Sequence, residues 1–221
     1  MKIKALLTTL VVIMSLFFSV SCEKNREYDE SDVLYCSENL IKNSIILNEI
    51  YYGSGIPYTK DESLADGYYY PASSEYLSKI GIVNIEDIKK LTRLCYTEAV
   101  SESIIKTKLS SIWSDSGIVS YARYYQKYNS LDDSEECIMV YKDSPILLTD
   151  TVEYDYDSLY VSGVKGMEVF VKITVNITRE DKKSQKREIE IGLLEESGGW
   201  RLNSPTYARY VDYDYYNDLK K

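Results

Sequence analysis

The sequence predicts an α+β fold, with N-terminal helices packed on one face of an antiparallel sheet. Three observations predict it. Between residues 31 and 53 apolar side chains recur at helical spacing. Beyond residue 117 the period changes to one that favours strands. Across 169–177 apolar and polar residues alternate strictly.

The first helix carries the strongest helical pattern. Val33, Leu40 and Leu47 are seven residues apart, and Leu34, Ile41, Ile45 and Tyr52 fill the adjacent stripe. Ile46 and Ile50 widen that stripe and predict burial on more than one side. Glu38, Lys42 and Glu49 line the opposite, wet side. Ser31 is expected to cap the start, with Asp32 at the positive end of the helix dipole. Gly53 is expected to end the helix in a left-handed conformation, and Pro57 forbids its continuation.

Residues 60–71 read as a loop, with a charge run, Gly67 and a tyrosine triplet ending on Pro71. Ser73 or Ser74 starts a short helix through Tyr76, Leu77 and Ile80, and Gly81 stops it. Asn84 caps the next helix, with Asp87 as the capping-box acid and Ile85, Ile88 and Leu91 as its stripe. A third helix opens at Thr97 and Glu98. Its helical spacing runs through Val100, Ile104, Ile105, Leu109, Ile112 and Trp113. Residues 114–117 form a turn cluster. Residues 118–125 and 138–141 favour strands, with an acidic loop at 129–136 between them.

Residues 150–157 read as a second acidic, solvated loop. Alternating carboxylates also begin calcium-binding EF-hand loops, which need Gly at the sixth position and Glu at the twelfth. Counted from Asp155 those places hold Tyr160 and Gly166, so calcium is not expected.

The chain closes as a meander. Val169, Val171, Ile173, Val175 and Ile177 alternate with Phe170, Lys172, Thr174 and Asn176. A polar turn at 179–184 leads to Ile189, Ile191 and Leu193, which alternate with Glu188 and Glu190. Ser197-Gly198-Gly199 turns again, and Trp200 and Leu202 begin a last strand. Strands joined by short turns pair antiparallel, with one face dry. Asn176-Ile177-Thr178 matches a glycosylation sequon but lies mid-strand, and is read as coincidence.

Composition removes several functions. A net charge of -9 argues against nucleic acid, whose binding rests on cationic contacts to phosphate. The absence of histidine removes Ser-His and Cys-His nucleophile pairs and histidine metal sites. Cys36, Cys95 and Cys137 match no metal or redox spacing and read as small buried apolar residues. Gly53-Ser54-Gly55 follows a helix and lacks the Lys of a phosphate loop. No metal or cofactor is expected. Tyrosine is abundant, 23 residues against three Phe, which suits a binding surface or reflects a compositional habit.

Lys2 and Lys4 precede an apolar run at 5–20, the pattern of a secretory signal. That run is short for a membrane span of about twenty residues. Ser19-Val20-Ser21-Cys22 resembles the lipobox of bacterial lipoproteins, although Ser19 stands where an aliphatic residue is usual. The resemblance implies a diacylglycerol on Cys22, cleavage just before it, and attachment to the outer face of the cell membrane. A secreted protein cut near Ser21 and an uncleaved anchor are the competing readings. The organisation expected is a signal peptide at 1–21, a polar tether at 22–30, one domain at 31–210 and a polar tail at 211–221.

The first helix ending in Tyr51-Tyr52-Gly53, the shorter helices after it, and the closing Gly199-Trp200-Arg201-Leu202 strand together resemble the NTF2-like (cystatin-like) α+β cone. They also resemble small lipoproteins of Gram-positive anaerobes that carry such a domain. The resemblance implies a curved sheet and a first helix enclosing a pocket, used by some members for catalysis and by many for binding. Tyr51, Tyr52, Trp113, Tyr124, Trp200 and Tyr207 are the aromatics expected near its mouth, with plain core packing as the competing reading. The expected function is non-catalytic binding of a ligand or protein at the membrane. An enzyme using a buried carboxylate and a Tyr for proton transfer is the alternative, and an assembly role in an envelope complex is a second. No catalytic residue is singled out, because the acids cluster in loops and Glu49 lies on the polar helix face.

Overall fold

The structure, a computed structural model, describes residues 27–114, 117–127, 137–179, 181–204 and 206. The lipobox with Cys22, the acidic loop at 129–136, Tyr207 and the polar tail lie outside the described residues. The fold is α+β.

Helix α1 spans Glu30–Tyr52. Asp29, not Ser31, is its cap, and its carboxylate accepts from the Ser31 and Asp32 amides at 2.9 and 3.4 Å. The Ser31 hydroxyl donates to the same carboxylate instead of capping. These bonds, led by that hydroxyl, hold the Asp29 carboxyl below its usual range. At the far end Gly53 has an ordinary φ of -83°, and the left-handed residue is Gly55 at 81°.

The buried line of α1 runs through Val33, Ser37, Leu40, Ser44, Leu47 and Tyr51. Ile45 and Ile46 are 39% and 36% exposed rather than core. A helix turns about 100° per residue, so their side chains fall outside that line. Small Ser37 and Ser44 occupy the places between the aliphatics, and each hydroxyl bonds back to a carbonyl of its own helix.

A 3-10 turn at Glu62–Leu64 and strand β1, Tyr69–Pro71, replace the expected loop. Helix α2, Ser74–Lys79, is capped by Ser73. Helix α3, Ile85–Cys95, has the complete Asn84–Asp87 capping box. Helix α4, Glu98–Lys108, lacks a bond from the Thr97 side chain. The Glu98 amide donates instead to Glu196 Oε2 at 2.8 Å, from the hairpin of the large sheet.

Helix α4 does not reach Trp113. Ile112–Ser114 forms strand β2, paired with β3, Gly117–Ser120. Helical spacing continued past the point where β3 offered a strand partner, and the partner decided the conformation. Strands β4, Tyr124–Lys127, and β5, Cys137–Tyr141, join β1 in the order β1-β5-β4. Pro71 sits at the end of the outer strand, where a missing N–H costs no ladder bond.

The large sheet is an antiparallel meander of four strands: β6 Thr151–Lys165, β7 Glu168–Thr178, β8 Ser184–Glu196 and β9 Gly199–Leu202. The acidic segment at 150–157 is therefore mainly strand, not loop. Val152, Tyr154 and Tyr156 lean inward while Glu153, Asp155 and Asp157 are exposed. Acids on the outer strand also deter pairing with another chain. Ser197 and Gly198 both take positive φ, 52° and 78°, which closes the last hairpin with the right twist.

The dry face of β7 is Val169, Val171, Ile173, Val175 and Ile177, all buried, and Ile189, Ile191 and Leu193 of β8 extend it. They share one core with Val33, Leu40, Ile41 and Leu47 of α1. Burying such a side chain contributes about 2 kcal/mol. Of the three cysteines here only Cys95 is buried; Cys36 and Cys137 are half-buried.

Candidate functional site

The site begins with an accounting problem at the C-terminal end of α1. The last carbonyls of a helix have no partner within it. This helix also has no basic residue in its last turn to complement the dipole. Distant residues supply both. Tyr124 Oη donates to the Ile50 carbonyl at 2.7 Å. Arg123 Nη1 donates to the Tyr51 carbonyl at 3.0 Å, and the Leu147 and Leu148 amides donate to Tyr52. Arg123 Nη2 donates to Gly53 at 2.6 Å, and Nη1 also reaches Pro145 at 3.2 Å.

Arg123 is only 6% exposed, yet among the described residues no carboxylate pairs with it. Its Nε donates to Tyr124 Oη at 3.1 Å, and that hydroxyl accepts from the Ile56 amide at 3.0 Å. Backbone carbonyls at and beyond the helix end, with the Tyr124 hydroxyl, and not an acid, therefore satisfy this buried guanidinium.

A cavity of about 280 Å³ opens beside this cap. Thr107, Lys108, Tyr121, Arg123, Tyr141 and Ser144 line it, with Pro145. Lys108 ends α4, and its Nζ lies 4.8 Å above the Tyr52 ring. Partial burial, and then the nearby Arg123 charge, push the Lys108 amine below the ordinary lysine range.

Tyrosine rings form the outer wall. Tyr121 and Tyr141 stack with centroids 4.9 Å apart, and Tyr69 packs edge-on against Tyr125 at 4.8 Å. Tyr68 meets both Tyr121 and Tyr141 edge-on. Strands β1 and β5 bring Tyr69 opposite Tyr141, which is why Tyr68 and Tyr69, distant in sequence, pack against this wall, while Tyr70 is buried against Tyr58. A shallow groove of about 360 Å³ adjoins along α4, between Tyr52, Val100, Ile104 and Thr107.

The six aromatics expected at a pocket mouth do not all meet. Tyr51 and Tyr124 are fully buried in the helix cap, and Tyr51 Oη bonds Thr92 Oγ1 at 2.8 Å. Tyr52 borders the groove. Trp200 lies at the opposite end of α1, where Nε1 donates to Asp32 Oδ2 at 2.9 Å. Twenty residues at 1.5 Å rise separate Asp32 from Tyr52, a distance of about 30 Å. Trp113 has its backbone in β2, and its side chain, like all of Tyr207, lies outside the described residues.

Between α1 and the sheet, where the fold resemblance implies a pocket, the apolar core packs around one polar cluster at Thr206. Asn48 Nδ2 donates to Thr206 Oγ1 at 3.0 Å, and Ser44 bonds the same hydroxyl. Tyr154 Oη donates to the Thr206 carbonyl at 2.9 Å, and Tyr96 Oη to Asn48 Oδ1 at 3.4 Å. Among the described residues no Asp or Glu is buried. Glu49 is half-buried and accepts from the Ser54 amide at 2.9 Å. No three Cys, Asp or Glu side chains of the described residues are grouped to hold a metal.

Sequence reasoning missed Arg123 and Lys108. One signal was present: a long helix without a terminal cation needs one from elsewhere. Nothing local says from where. No protein-family model matches this sequence, and no curated protein matches it.

Proposed function

We propose that this chain is an extracytoplasmic lipoprotein, anchored through Cys22, whose domain binds a ligand without catalysing a reaction. The binding site in this reading is the tyrosine-walled cavity at the end of α1. The observation that carries it is the pairing of partly exposed tyrosine rings with a cavity that contains cations and no acid. Ring faces with polar tips and a few convergent charges are what a small-molecule site requires. The carboxylates of the described residues are exposed or half-buried, which supports binding over the proton-transfer alternative.

The finer fold reading is an NTF2-like cone. The helix-first order and the four-stranded meander packed on α1 support it. The anchor reading rests on the basic, apolar and lipobox-like segments of the first 22 residues. No helix among the described residues is long and apolar enough to cross a membrane. Two acyl chains hold a protein firmly where one binds only marginally.

Two experiments test the proposal. Cys22→Ser is expected to move the protein out of the membrane fraction, and unchanged fractionation defeats the anchor. A thermal-shift screen of the full chain in a non-ionic detergent tests the domain, with sugars, peptides, lipids, steroids and nucleotides. A ligand that binds only the folded state raises the melting temperature by mass action. No shift with any class defeats the ligand-binding reading and favours a protein partner.

A further inference from the structure

We infer that the cavity at the end of α4 is an anion subsite, in which Lys108 Nζ holds the carboxylate or phosphate of a small ring-bearing organic molecule and the exposed part of Tyr121 receives its ring. The inference rests on the ligand-binding reading above and names the chemistry of that ligand.

Charge carries the argument first. The whole protein has a net charge of -9, yet this cavity is lined by two cations and no acid. Arg123 has its donors turned onto backbone carbonyls and the Tyr124 hydroxyl. It contributes a fixed positive charge that cannot move away. Lys108 differs. Its ammonium has a ring face beneath it and, among the described residues, no carboxylate within ion-pair distance. The Arg123 charge is answered by the carbonyls at the end of α1, but it still repels the Lys108 ammonium, and an anion beside Lys108 relieves that repulsion. The attraction of an anion at Lys108 opposes both influences that weaken its hold on a proton, burial and repulsion from Arg123.

The neutral lining agrees. Ser144 offers a hydroxyl donor to one of the anion's remaining oxygens, while the Thr107 hydroxyl is spent on the Ser103 and Ile104 carbonyls of its own helix. Tyr121 is 37% exposed and held in place by the Tyr141 ring stacked against it. Its free portion is therefore a preorganised aromatic surface. The volume of about 280 Å³ lies at the lower edge of small-molecule sites, so an acidic group with one ring is the size that fits.

Titration calorimetry on the full chain in a non-ionic detergent tests this. The probes are benzoate and glucose 6-phosphate, with benzyl alcohol and glucose as their neutral counterparts, and inorganic phosphate as an anion without a ring. The anionic ring compounds are expected to bind about tenfold or more tightly than the neutral ones, the scale of one charge-assisted hydrogen bond. Lys108→Gln is expected to lose that difference at an unchanged melting temperature, and Lys108→Arg to retain most of it. Lys106→Gln, on the exposed side of the same helix turn, is the control and should bind as the parent does. Tyr121→Ala should weaken the ring compounds and leave inorganic phosphate unaffected. Equal binding of anionic and neutral probes, or full binding by Lys108→Gln, overturns the anion subsite and leaves a neutral ligand site standing. Failure of every probe here together with every class in the thermal-shift screen overturns both readings.

Discussion

Arg123 Nη2 donates to the carbonyl of Gly53 at 2.6 Å, across 70 residues of sequence. This contact joins the end of α1 to the entry of β4, and Tyr124, the next residue, closes the remaining carbonyl of the turn. A helix without its own terminal cation thus obtains one from a strand. The same arrangement puts a fixed positive charge behind the Lys108 cavity, so the helix cap and the candidate site share a residue.

Replacing Arg123 is expected to be costly. Arg123→Met leaves the carbonyls of Tyr51, Gly53 and Pro145 without their donor. We expect a loss of about 3 kcal/mol, measured by urea denaturation. Arg123→Lys keeps the charge but not the fork, and should lose less. A loss below about 1 kcal/mol for the Met variant would mean that water replaces the guanidinium.

Tyr124→Phe removes one hydroxyl that donates to Ile50, accepts from the Ile56 amide and accepts from Arg123. The expected loss is about 2 kcal/mol. Tyr51→Phe should cost about 1 kcal/mol, because Thr92 keeps its bond to the Ile88 carbonyl. Equal losses in the two denaturation curves would contradict a special role for the Tyr124 hydroxyl.

Gly55→Ala is expected to be among the worst small substitutions. Its φ is 81°, and an added Cβ meets Arg123 Nη2 and Tyr124 Oη, each at 2.6 Å. Both groups are buried and bonded, so neither yields cheaply. Gly166→Ala, at φ 63° with nothing near, carries only the backbone strain of about 1 kcal/mol. A thermal melt of the two variants should rank Gly55→Ala clearly lower.

Alkaline pH should unfold the protein. Burial raises the phenols of Tyr51, Tyr96 and Tyr124 above their ordinary range, and pushes the Cys95 thiol up to about 12. These groups stay protonated when folded and ionise earlier when unfolded. Stability is therefore complete below about pH 9 and falls as pH rises from there toward 12. Tyrosinate absorbance and circular dichroism followed together should change in one step for the buried phenols. Cys95 should also resist thiol reagents in the native state, since the thiolate is the reactive form. Modification of Cys95 at neutral pH without unfolding would refute its burial.

Some of this architecture was legible residue by residue. The Asn84–Asp87 capping box and the strict alternation of β7 are local patterns, and the structure has both where the sequence puts them. The segment at 150–157 failed because its acids outweighed an equally strict alternation of Val152, Tyr154 and Tyr156. Counting charge hid the period. Ile112 and Trp113 failed for the opposite reason: a helical period ran on into residues whose strand partner, β3, comes later in the chain. Tyr69 and Tyr70 looked like loop because their partner strand, β5, lies some seventy residues away.

Sequence alone determined the helix-first order, the dry face of the meander and the caps that start the two middle helices. Those features follow from side-chain periodicity and from caps that act over three or four residues. Only the tertiary structure decided what satisfies the end of α1, which tyrosines meet, and that Lys108 and Arg123 share a cavity without an acid. Such facts depend on contacts between residues distant in the chain, where polar satisfaction and charge are settled by whichever groups the packing brings together.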